Sequence, residues 1–161
     1  MSTKEALGVA LALLAARSRS RLELEERLLK KGFSPGDVAE ALAELEKKGY
    51  LDDRRFAVSW ARWRLSGKPM GRARLRQELK AKGLSNEDIE EALKEAYAEA
   101  DELKLALMAL ERKLQGFKGL DPEKRRQKLF RFLKRRGFPP QAIWKALGEK
   151  GRGEIPLELD A

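Results

Sequence analysis

One pattern is written three times in this chain, and it limits the possible folds more than any other feature. Leu24, Leu28, Gly32 and Phe33 are matched by Leu75, Leu79, Gly83 and Leu84, and again by Leu129, Leu133, Gly137 and Phe138. The glycines are 51 and 54 residues apart. Leucines at i and i+4 share one helix face. A Gly four residues later, followed by an apolar residue, is the mark of a left-handed helix end whose next side chain folds back on the last turn. Beyond each Gly the i,i+4 spacing resumes, with Val38 and Leu42, Ile89 and Leu93, and Ile143 and Leu147. Each copy therefore predicts helix, tight turn, helix.

Ser34 and Ser85 are expected to cap the second helix of the pair, with Asp37 and Asp88 in its first turn. Pro139 and Pro140 stand there in the third copy. A further helix precedes each pair, roughly Thr3 to Arg17, Asp53 to Ser66 and Glu99 to Gln115. Phe56, Trp60 and Trp63 mark a stripe in the fourth helix, and Leu103, Leu107, Leu110 and Leu114 one in the seventh. No alternating strand pattern appears. The expectation is an all-α chain of nine helices: three tandem three-helix repeats over 1–51, 52–98 and 99–150, then a loose tail at 151–161. The ninth helix is expected to end near Gly148. Units this small bury their faces by stacking on neighbours, which predicts an elongated body that closes its core as a monomer.

Composition narrows the chemistry. The 161 residues include neither Cys nor His. Disulfides, thiolate and imidazole metal sites and the commonest nucleophiles and general bases are absent. The longest apolar stretch, Ala6 to Ala16, is too short to span a bilayer. The chain reads as a cytosolic, membrane-free protein with no cofactor or metal and no catalytic constellation. Asp52 and Asp53 precede a helix, where Asp caps. Glu78-Leu79-Lys80 lies inside a helix rather than on a nuclease strand, and Gly67 to Gly71 lacks phosphate-loop spacing.

The net charge of +9 is unevenly spread. Residues 52–84 carry +7, 85–111 carry −7 and 112–150 carry +10. In the fifth helix Arg72, Arg76 and Lys80 form a stripe, with Arg74 on another flank. In the eighth, Lys124, Lys128, Arg131 and Arg135 run i, i+4, i+7, i+11. Such like-charge neighbours cost an isolated helix a few tenths of a kcal/mol per pair, so a polyanion or acidic protein surface is the expected partner. Among aromatics that could stack on bases, Phe56, Trp60 and Trp144 are read as core, leaving Trp63 exposed.

The run Gly49-Tyr50-Leu51-Asp52-Asp53-Arg54-Arg55-Phe56-Ala57, then Trp60, Arg62 and Arg64, then Gly71-Arg72-Ala73-Arg74-Leu75-Arg76-Gln77-Glu78-Leu79 with Lys82-Gly83, resembles the signature of the RecX family, bacterial regulators of the RecA recombinase. Ser20 to Leu24 and Lys31 to Phe33 resemble its first repeat, and the likeness covers roughly residues 6 to 148. The resemblance implies three tandem three-helix repeats and a non-enzymatic protein. Such a protein binds the RecA filament on single-stranded DNA and inhibits its growth and its ATPase, strand-exchange and co-protease activities. Arg55, Arg62, Arg64, Arg72, Arg74, Arg76 and Lys80, with the stripe of the eighth helix, are the expected contact residues for RecA or DNA. The alternative is a helical protein that binds DNA directly and acts without RecA.

Overall fold

The structure, a computed structural model, describes residues 2–98 and 101–151. Nine α-helices form there with no strand among the described residues. The first repeat holds α1 (Thr3–Ala16), α2 (Arg21–Lys30) and α3 (Pro35–Lys47); the second holds α4 (Asp53–Gly67), α5 (Arg72–Ala81) and α6 (Asn86–Ala96). The third holds α7 (Glu102–Leu114), a 3-10 turn (Gln115–Phe117), α8 (Pro122–Arg135) and α9 (Pro140–Gly151). The helix α9 continues past Gly148, since Glu149 and Lys150 are good helix formers and an isolated Gly is tolerated. The expected loose tail lies outside the described residues beyond Gly151.

The three repeated turns have one geometry. Gly32, Gly83 and Gly137 take φ of 100°, 80° and 90°. The next amide reaches back to the carbonyl five residues earlier: Phe33 to Leu28 at 3.2 Å, Leu84 to Leu79 at 3.4 Å and Phe138 to Leu133 at 3.2 Å. That is the Schellman closure. The Ser34 and Ser85 hydroxyls accept from the Asp37 and Asp88 amides at 3.2 and 3.1 Å, as caps should.

The helices gather into two compact units, one comprising residues up to Trp60 with Glu78–Ala92, the other Ala61–Gln77 with the described residues from Leu93 onward. The three helices of the second repeat are divided between them. In the first unit α1, α2 and α3 pack on one another around Leu24, Leu28, Leu42 and Leu45, all almost wholly buried. In the second, α7, α8 and α9 do the same around Leu110, Leu129, Leu133, Ile143 and Leu147.

The first helix of each repeat departs from the leucine stripe read in the sequence. In α7, Leu103 and Leu107 are half-buried, whereas Leu105, Ala106, Ala109, Leu110 and Leu114 are buried. Ala6 and Ala10 are buried in α1, and Ala57 and Ala61 in α4. Alanine lets helix axes approach closely, so the face that packs is set by small residues as much as by large ones. Ala6 and Ala57, like Ala10 and Ala61, are 51 residues apart, a signal the repeat spacing contained.

Candidate partner-binding surface

A joint between consecutive repeats recurs in each unit. In the first unit Ser20, the N-cap of α2, is fully buried. Its hydroxyl accepts from the Glu23 amide at 3.2 Å and donates to the carbonyl of Lys82, in the turn after α5, at 2.8 Å. The Glu23 carboxylate completes a capping box by accepting from the Ser20 amide at 3.1 Å. It also pairs with Arg17 and Lys82, both at 3.1 Å. Burial pushes Glu23 up, but the Ser20 amide, Arg17 and Lys82 outweigh it and hold the carboxyl below its ordinary range.

Asp53 closes the other side of this joint. Its carboxylate accepts from the Arg21 amide, the first of α2, at 2.8 Å. It thus serves the N-terminus of a different helix from its own, while Asp52 takes the expected cap of α4 by accepting from the Arg55 amide at 3.1 Å. Burial raises Asp53 above the usual carboxylate range, and nearby Asp88 and Glu46 add to it; the Arg21 amide works the other way. Leu22 packs against Gly83, where a Cβ would collide with the leucine.

The second unit repeats the arrangement with different atoms. The Gly71 amide donates to the carbonyl of Arg136, in the turn after α8, at 2.8 Å. The Arg72 amide, first of α5, donates to the Glu102 carboxylate at 3.1 Å. A Cβ on Gly71 would overlap the carbonyl of Gly137, and one on Gly137 would overlap the backbone of Arg74. Arg136 is buried, its guanidinium donating to the Pro69 carbonyl at 2.8 Å, and the Tyr97 hydroxyl donates to the Met70 carbonyl at 2.8 Å. Neither Arg136 nor Tyr97 stood out in the sequence, where Arg136 counted as one more surface charge.

The expected contact residues divide accordingly. Arg72 and Arg74 belong to the second joint: the Arg72 guanidinium lies 3.5 Å from Glu102 and 5.2 Å from the Tyr97 ring, and Arg74 donates to the Arg135 carbonyl at 3.2 Å. This contact brings the two basic blocks together at the C-terminal end of α8, where a cation also complements the helix dipole. Arg62 is exposed and pairs with Glu95 at 2.9 Å, and Arg55 donates to the Gly49 carbonyl at 3.0 Å. Arg64, beside the Trp63 ring at 6.0 Å, and Arg76 are half-buried, whereas Lys80 is exposed.

Seven of the fourteen residues of α8 are basic. Lys124, Lys128, Arg131 and Arg135 are all exposed, and no carboxylate among the described residues pairs with them. Trp144 on α9 is 42% exposed, which corrects its reading as core: Ile143, Ala146 and Leu147 fill the buried face, and the indole lies on the surface against Phe130 at 4.6 Å with the Arg126 guanidinium 4.5 Å from its ring. Trp63 is 61% exposed, as expected, Phe56 is buried and Trp60 half-buried. Among the described residues no cluster of acidic side chains could hold a metal ion, and no helix is long and apolar enough to cross a membrane.

Comparison with known proteins returns the same division into three. Family models for the first, second and third three-helix domains of RecX match residues 6–45, 52–93 and 99–147. The protein named Regulatory protein RecX of Chlorobaculum tepidum is 42% identical over 138 residues, 86% of this chain and 83% of that one. Its namesake in Pelodictyon phaeoclathratiforme is 39% identical over 142 residues, covering 88% and 86%. The crystal structure of RecX from Lactobacillus salivarius superposes with a TM-score of 0.81 over 98% of this chain and 97% of that one, at 18% identity, and so speaks to the fold.

Proposed function

This chain belongs to the RecX family, and on that premise we propose that it regulates RecA by binding its filament on single-stranded DNA. Bound there, it restrains filament growth and, with it, ATP hydrolysis, strand exchange and co-protease action. The observation that carries this reading is the ordered match of all three three-helix domains together with relatives named as regulatory proteins. In this reading the protein is a cytoplasmic monomer that performs no catalysis and needs no cofactor, and its repeats divide after residues 51 and 98.

The physical support is the segregation of charge. A filament of protein and DNA presents both phosphates and side chains of either sign, and long-range attraction to it rises with clustered cations. Lys80, Lys124, Lys128, Arg131 and Arg135 form the part of the proposed contact surface that spends no charge on internal pairing. Arg55, Arg62, Arg64 and Arg76 contribute around it, and Arg72 and Arg74 contribute by holding the second joint in shape.

The test is DNA-dependent ATP hydrolysis by RecA with this protein added well below the RecA concentration. The expected result is strong inhibition; unchanged hydrolysis would overturn the proposal.

A further inference from the structure

We propose that the α8–α9 face of the third repeat is itself a binding site for single-stranded DNA, with Lys124, Lys128, Arg131 and Arg135 tracking phosphates and Trp144, under Arg126, stacking on a base. This rests on and deepens the filament reading by giving the chain its own hold on the strand, one that needs no RecA.

The first observation is positional. In the first two repeats the start of the middle helix is occupied: Ser20 and Arg21 hold Lys82 and Asp53, and Gly71 and Arg72 hold Arg136 and Glu102. By the 54-residue spacing the matching positions in the third repeat are Arg125 and Arg126. There the helix begins earlier, at Pro122 behind an Asp121 cap, and the added turn brings Lys124. Where the earlier repeats offer a socket for the next turn, this one offers a helix of cations.

The second observation is charge. Four exposed cations on α8 lack carboxylate partners among the described residues, and they span about 16 Å of helix axis. Glu123 is the only acidic residue on the helix between Pro122 and Arg135. A polyanion laid along this face neutralises their mutual repulsion.

The third observation is Trp144. An indole 42% exposed beside that stripe, backed by Phe130 and Arg126, adds an aromatic surface where stripe and α9 meet. Unpaired bases present π-faces to such a surface, whereas a duplex keeps its bases stacked inside. Basic track plus aromatic platform therefore selects a single strand.

The test is fluorescence anisotropy of a labelled oligo-dT with the full chain and no RecA. Four phosphate contacts on a single strand predict a slope of log K against log salt of about −3. K128E/R131E is expected to reduce this slope by about 1.4 and to weaken binding at least tenfold. W144A is expected to lose about 5- to 100-fold in affinity at unchanged slope, with W144F retaining most of it. Circular dichroism checks that these exposed substitutions leave the helices intact. Absence of oligo-dT binding at low salt, W144A binding like wild type, or equal competition by duplex would each overturn the inference. If wild type fails to bind oligo-dT yet inhibits RecA hydrolysis, this site falls and the filament reading stands; binding without inhibition has the opposite meaning.

Discussion

The Gly71 amide donates to the Arg136 carbonyl at 2.8 Å from the same place in its repeat at which the Ser20 hydroxyl donates to the Lys82 carbonyl, also at 2.8 Å. Two repeats meet the same need by different means: one uses a side chain, the other the backbone itself. The backbone version requires the chains to come closer, which is why Gly71 faces Gly137 with no room for a Cβ on either.

Gly71→Ala is accordingly expected to cost about 1–3 kcal/mol, the range for forcing atoms into a filled site. Gly8, exposed in α1 with nothing near its missing Cβ, is the control. Gly8→Ala should stabilise by about 0.5–1 kcal/mol. Urea denaturation measures both; a Gly71→Ala midpoint equal to wild type would remove the close-packed joint from the account of stability.

Ser20→Ala removes an N-cap and the only side-chain hydrogen bond made to the Lys82 carbonyl in a fully buried setting. Loss of the cap and of the buried bond together predicts a cost of about 2 kcal/mol. Ser34→Ala, whose hydroxyl only caps, should cost about 1 kcal/mol. Equal effects would mean that the inter-repeat bond adds nothing.

Acid should open the first joint through Glu23. Its carboxyl is held below the ordinary value, so around that value the folded chain binds fewer protons than the unfolded one. Its contribution is present above about pH 4.3 and lost as pH falls through the lowered native value. Asp53, raised by burial, acts with the opposite sign: its contribution declines as pH rises from the ordinary Asp range through the raised native value. Glu23→Gln should therefore show a shallower fall in melting temperature between neutral pH and pH 3, and Asp53→Asn a smaller decline on the rising side. Parallel wild-type and Glu23→Gln curves would contradict this.

The turns and the leucine faces were legible in the sequence because each is encoded locally: a Gly at a left-handed position and an i,i+4 pair need no knowledge of distant residues. The joints were not, because Asp53 and Glu102 serve helices other than their own and Arg136 is basic yet buried among residues 67 positions earlier. Trp144 was misread for a related reason. Helical spacing gives the side of a helix on which a residue lies, but with Ile143 and Leu147 already filling the buried face the indole was left at its edge. The lone signal for the joints was a carboxylate recurring at the start of the first helix of the second and third repeats, as Asp53 and Glu102.

Arg136→Met tests the buried arginine directly. The substitution leaves the Pro69 carbonyl without its guanidinium donor in a buried place, and a buried acceptor so stranded costs about 1–3 kcal/mol. Arg135→Met, one residue earlier and exposed, should change stability by less than about 0.5 kcal/mol. The two melting temperatures, measured side by side, separate structural from surface charge within one basic block; a matched pair of losses would refute the distinction.

Charge reversal separates shape from contact in the same way. Arg72 and Arg74 hold the second joint, so R72E/R74E places carboxylates beside Glu102 and at the C-terminal end of α8, both repulsive. That variant should melt several degrees lower and lose RecA inhibition together. K128E/R131E alters two exposed, unpaired cations and should keep the wild-type melting temperature while needing at least about tenfold more protein for half inhibition, a loss of about 1.4 kcal/mol in binding. RecA hydrolysis titrated with each variant, alongside its thermal melt, decides the matter. Full inhibition by K128E/R131E would move the contact surface away from α8, whereas R72E/R74E that melts like wild type yet fails to inhibit would make Arg72 and Arg74 direct contacts after all.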